Sequence, residues 1–159
     1  MTEEELKKEF PSIELAYPLV QEAYKTTKER FDAMEKRNQT IIAFVTTLAL
    51  ALLGLVGDKQ TPPVTISLAI AALLYLTMVA IGIYTQVKGD LSLPNPALLY
   101  QKNLGLPPIE FQQRFIYWAG EDYKYNITQI NNKGKLTNFT AIFGLLTLFM
   151  LAIWISGKF

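Results

Sequence analysis

Three stretches of the chain carry no charged residue: 38–57 with twenty residues, 60–87 with twenty-eight and 136–157 with twenty-two. A helix needs roughly 20 apolar residues to cross a ~30 Å hydrocarbon core, so each stretch predicts a span. A soluble bundle helix keeps a charged face toward water, and these runs have none on any face. Around the first span, apolar positions recur in alternating steps of four and three: Val20, Tyr24, Thr27, Phe31, Met34, Asn38, Ile41, Val45, Leu48, Leu52 and Leu55. Such steps form a seam of shallow-angle, coiled-coil-like packing. Nothing breaks the helical pattern from Pro18 to Gly57, which predicts a rod of about forty residues, on the order of 60 Å, with roughly half projecting from the membrane.

The third span has a similar extension. Pro107 and Pro108 suit a helix start with Glu110 in its first turn, and Ile116, Ala119, Tyr123, Ile127 and Ile130 form one stripe below the span. Residues 1–10 read as a charged, mobile lead-in, after which Pro11 and Ser12 open a helix. Asn95 and Pro96 suit the cap and first residue of a short apolar helix ending near Tyr100. The predicted architecture is all-α, with three transmembrane helices and long cytoplasmic helical extensions on the first and third. Its parts are an N-terminal cytoplasmic helix at 1–40, spans at 41–57, 64–87 and 136–157, and a cytoplasmic loop and helical stalk at 88–135.

Basic residues orient this layout. Lys25, Lys28, Arg30, Lys36 and Arg37 precede the first span, and Lys59 alone lies between the first and second. Lys88, Lys102, Arg114, Lys124, Lys133 and Lys135 separate the second and third, and Lys158 alone follows. By the positive-inside rule the N-terminus and the long second loop face the cytoplasm and the C-terminus lies outside, as in a multi-pass protein of the bacterial inner (plasma) membrane. Trp154 and Phe159 suit an outer interfacial belt, and Tyr84 an inner one. The polar opening predicts no secretory leader.

Composition narrows the chemistry. The 159 residues include no Cys and no His, which removes thiol nucleophiles, imidazole catalysis and the usual zinc ligands. The acidic residues Glu110, Glu121 and Asp122 do not converge, because neighbours in a helix point to different faces. No catalytic residue, metal site or cofactor is expected, and the chain does not read as an enzyme. A net charge of +1 makes no case for nucleic acid. No charge lies inside a span, which argues against ion-coupled transport and leaves room for a pore lined by hydroxyls or apolar constrictions.

The candidate functional positions are therefore packing surfaces. Small residues at helical spacing, which allow close helix contact in lipid, occur at Ala43, Thr47, Ala51 and Gly54, at Ser67 and Ala71, and at Thr140 and Gly144. Thr46, Thr47, Ala51, Gly54 and Gly144 are the candidate pore or subunit-interface residues. Tyr24, Phe31 and Met34 are expected to pack against Tyr123, Ile127 and Ile130 in the stalk, within one chain or between two. Charge favours that pairing: residues 1–40 hold seven basic and nine acidic residues, a net of −2, and residues 86–137 hold six and four, a net of +2. The lysines of the donor-rich stretch 126–135 suit anionic headgroups, with an anion or gating surface as the sharper alternative. The Asn-x-Thr triplets at Asn38, Asn126 and Asn138 read as chance matches.

A long helix running unbroken into the first span through Lys36-Arg37-Asn38-Gln39-Thr40-Ile41, a tight outer turn, a second span and later helical cytoplasmic material resemble the small transmembrane effectors of bacterial antiphage defence, especially SLATT-type domains. The resemblance is one of architecture. It differs in having a third span and no separate nucleotide-sensing domain. It implies a homo-oligomer in the lipid bilayer that forms a pore or disrupts the membrane when a cytoplasmic protein or nucleotide-signal partner triggers it. A non-conducting anchor whose cytoplasmic helices dock a partner protein is the alternative.

Overall fold

A computed structural model describes residues 3–55, 66–92, 103 and 105–156. The expected outer turn at 57–63, the short helix at 95–100, Lys158 and Phe159 lie outside the described residues. Four helices account for nearly all the rest: α1 Glu3–Glu9, α2 Ile13–Leu55, α3 Ile66–Val87 and α4 Pro108–Ile155. No strand occurs among the described residues. Helices α2, α3 and α4 are long and apolar enough to cross a membrane, and the chain is an all-α, multi-pass membrane protein.

Local chemistry sets the helix ends. The Ser12 carbonyl accepts from the Leu15 and Ala16 amides at 3.1 and 2.9 Å, which starts α2. Pro107 O accepts from Phe111 N at 3.0 Å, and Pro108 takes the first helical position, where a missing N–H costs nothing. Pro18 sits inside α2 in its second turn without ending the helix. At the end of α3, Gly89 adopts φ 88°, the left-handed cap that glycine takes most cheaply. The expected mobile lead-in is instead largely helical, as α1. Its sequence, EEELKKE, consists entirely of good helix formers.

The chain divides into two compact units. The first comprises Met1–Phe31 and Asp90–Ile130, and the second Asp32–Gly89 and Asn131–Phe159. In the first, Ile13 and Ile109 are buried with Phe10 and Ile116 packed on them. Tyr17 and Phe115 meet edge to face at 5.3 Å. Ser92, just beyond α3, is pinned to α4: Asn126 Oδ1 accepts from its amide at 2.8 Å, and Asn126 Nδ2 donates to its carbonyl at 3.0 Å.

In the second unit α2 and α4 run parallel. Lys133 meets Glu35, Gly134 lies beside Met34, and Gly144 faces Val45, so contacts advance together along both helices. Helix α3 runs antiparallel to α2, with Gly82 at Asn38 and Tyr75 at Thr46. The core gathers Ala49, Ala71, Leu151 and Trp154. Trp154 is thus buried, not set in an interfacial belt, because the small Ala49 and Ala71 leave room for the indole. Tyr84 is exposed, with the Lys88 ammonium 4.8 Å from its ring centre. Two glycines permit the closest approaches. A Cβ on Gly82 would lie 2.3 Å from Ile42 Cδ1, and one on Gly144 would lie 2.7 Å from Val45 Cγ2 and 3.1 Å from Met78 Sδ.

Candidate functional site

On α2 the alternating stripe faces inward. Thr27, Phe31, Asn38 and Val45 are buried, and Val20, Tyr24, Met34, Ile41, Leu48 and Leu52 are half-buried. The stripe of α4 does not follow its apolar residues. Ala119 and Ile130 are buried and Ile116 and Ile127 half-buried, but Tyr123 is 47% exposed. The inward positions are instead Asp122, half-buried, and Asn126, fully buried. Asp122 Oδ1 accepts from Ser92 Oγ at 2.7 Å. Tyr123 therefore leaves the predicted stalk contact, because two polar residues are needed inside to hold Ser92.

Tyr24 also feels this polar cluster. Its hydroxyl is buried without a hydrogen-bond partner among the described residues. Burial first, and the Asp122 carboxylate second, push its pKa up to about 12. The exposed Tyr117 is also shifted upward, chiefly because its hydroxyl donates to Glu121 at 2.8 Å.

Beyond Ile130, the alternation on α4 continues through Lys133, Thr137, Thr140, Gly144, Thr147, Leu151 and Trp154, all buried. This inner stripe is polar along much of its length. Lys133 does not reach for headgroups. Its side chain is 3% exposed and its Nζ donates to Glu35 Oε1 at 2.6 Å. Asn38 is fully buried and donates through Nδ2 to Gly82 O at 3.0 Å. The hydroxyls of Thr85, Thr140 and Thr147 donate to carbonyls one turn back in their own helices, at 2.7, 3.1 and 2.8 Å. Asn38 Oδ1 and Thr137 Oγ1 are buried without partners among the described residues. An unsatisfied polar atom of this kind costs about 1–3 kcal/mol, so surrounding contacts must hold this level of the unit in place.

The candidate interface residues separate by position. Gly144 is buried against Val45 and Met78 of its own chain. Thr46 is half-buried, with its hydroxyl 3.0 Å from that of Tyr75, beside a cavity of about 250 Å³ between Ala49, Leu68, Ala71 and Thr147. Thr47, Ala51 and Gly54 are exposed, as is Ala43 one turn earlier. A Cβ on Gly54 would meet nothing within 4 Å. These four positions, at steps of four, four and three, form one outward strip on α2. The exposed positions on α4 include the large Phe139, Ile142, Leu145, Leu146 and Phe149, with Ala152 small among them.

The inward Lys133, Asp122 and Asn126 were missed by an apolar search. Extending the alternating steps of four and three through polar residues from Ile130 would have found Lys133 and Asn126, but it lands on the exposed Tyr123 rather than on Asp122. Glu110 pairs with Arg114 at 2.8 Å, so Glu110, Glu121 and Asp122 each have a separate partner. No group of acidic residues suited to a metal ion occurs among the described residues. No family model, curated protein or solved structure matches the chain.

Proposed function

We propose that the chain is an oligomeric membrane module that forms a pore or perturbs the bilayer, with its N-terminus in the cytoplasm of a bacterium. The observation that carries this reading is the outward strip Ala43, Thr47, Ala51 and Gly54. The chain's own packing uses other faces of α2, so the strip is free for a neighbouring copy. Small side chains let helix backbones approach closely where lipid gives no hydrophobic drive to associate. A hydroxyl at Thr47 adds a weakly wettable point to such an interface, consistent with a closed state that opens on triggering. The Lys and Arg distribution supports the orientation. The layout shared with SLATT-type effectors supports a role in antiphage defence.

A second reading, an anchor that docks a protein, draws on Leu15 and Leu19. These are 72% and 67% exposed, one turn apart on α2 in the first unit. The two readings separate in cells expressing the full chain, by oligomer size in native nanodiscs and by membrane potential. The wild type is expected to form a closed oligomer and collapse the potential. Ala51→Phe, at a position exposed in the single chain, is expected to abolish both while leaving the folded chain intact. A monomeric wild type with an undisturbed potential leaves the anchor as the better account.

A further inference from the structure

We propose that a cleft in the first unit binds an amphipathic organic cation, a site separate from any interface between spans. The cavity measures about 900 Å³, within the range of about 300–1,000 Å³ usual for small-molecule sites. Phe10, Ile13, Ile116, Tyr117 and Trp118 are the large apolar and aromatic residues of its wall. Such a surface accepts an apolar body, and its aromatic faces attract a positive charge. The Tyr117 hydroxyl is engaged by Glu121, which leaves the ring as that residue's contribution.

The charges of the lining set the sign of the ligand. It holds Glu9, Glu110 and Arg114, an excess of one negative charge. Arg114 Nη2 is 2.8 Å from Glu110 Oε1, and its Nη1 is 3.5 Å from Asn103 Oδ1, so the one cation among the described wall residues is already matched. Glu9 is exposed and has no partner among the described residues. Apart from Glu9, α1 carries three Glu and two Lys, a further net charge of −1 in sequence. A nucleotide phosphate or other anion would face Glu9 with no unmatched cation among the described wall residues to receive it. An ammonium or guanidinium on an apolar body places its head at Glu9 and its body against Trp118.

The test uses the full chain in nanodiscs of zwitterionic lipid, with 4-phenylbutyltrimethylammonium as the probe and 4-phenylbutanesulfonate as its anionic counterpart. The chain has two tryptophans, so its two indole N–H resonances report separately once Trp118→Phe assigns them. The ammonium is expected to shift the Trp118 resonance saturably and leave Trp154 unmoved. The sulfonate is expected to bind at least about fivefold more weakly, the scale of one carboxylate contact and one cation–π contact. Glu9→Gln should lower ammonium affinity about fivefold, and Ala16→Phe, which fills the cleft, should remove saturation. Equal or tighter sulfonate binding, parallel movement of Trp154, or an unmoved Trp118 each overturns the proposal. So does an ammonium-insensitive wild type whose oligomer dissociates with Ala16→Phe, which would assign the cleft to a second copy. None of these readouts depends on conduction.

Discussion

The two units differ chiefly in what they turn outward. In the first, charged side chains such as Lys25, Glu29 and Arg30 face outward, and the buried residues include Ile13, Ile109, Phe31 and Ala119 with the polar Thr27, Asn103 and Asn126. In the second, Leu50, Leu73, Leu76, Ile83, Leu145 and Phe149 face outward, while Asn38, Thr85, Lys133, Thr137, Thr140 and Thr147 are buried. Water rewards the first arrangement. Hydrocarbon tolerates the second because buried polar groups can find partners inside the protein, with Asn38 Oδ1 and Thr137 Oγ1 the exceptions among the residues named. The contrast depends on the direction each residue faces, which hydropathy along the chain does not record.

The largest expected effect tests the polar interior of the second unit. Glu35→Ala leaves the Lys133 ammonium buried without this carboxylate, which should cost about 3 kcal/mol, read from unfolding in bicelles. Adding Lys133→Met should restore most of it, since an apolar side chain of similar length needs no counter-charge. If the double variant is as unstable as the single one, the pair is not what holds this level together.

A smaller effect tests close approach. Gly144→Ala places a methyl at 2.7 Å from Val45 Cγ2 and should cost about 1–3 kcal/mol by overpacking. Val45→Ala in the same chain should relieve it. Gly54→Ala, with nothing within 4 Å, should leave the single chain's stability within about 0.5 kcal/mol.

The smallest effect concerns the first unit. Tyr24 should ionise near pH 12, about two units above an ordinary tyrosine. Its folded pKa is raised, so the folded state holds this proton more tightly. The stability it contributes is present below pH 10 and is lost as pH rises from about 10 to about 12. Absorbance at 295 nm should show a late-titrating component that Tyr24→Phe removes. Its persistence in that variant would place the buried phenol elsewhere.

The spans and the inward stripe of α2 were legible because apolar length and period are direct consequences of burial. The corresponding stripe of α4 was legible at Ile116, Ala119, Ile127 and Ile130 but not at Tyr123, because Asp122 and Asn126 are the polar residues turned inward there. Tyr123 is more apolar than Asp122, yet Asp122 turns in to meet Ser92, thirty residues earlier in the chain. No local pattern announces such a partner. Lys133 misled for a similar reason: a lysine beside a span usually snorkels to headgroups, and only the register of α2 against α4 brings Glu35 opposite it. The glycines divided the same way. Gly54 and Gly144 look equivalent as small residues, and only the neighbours of each show that Gly144 belongs to the chain's own packing.

The threonine bonds have a mechanical consequence. Thr85, Thr140 and Thr147 each close their hydroxyl onto a carbonyl of their own helix. When such a helix turns or slides against its neighbours, these bonds travel with it unbroken. Resistance at those positions comes only from side chains riding over one another, a corrugated contact of many small barriers. A slide of α4 past α2 must first release Glu35 from Lys133, and a slide of α3 past α2 must release Asn38 from the Gly82 carbonyl and Thr46 from Tyr75.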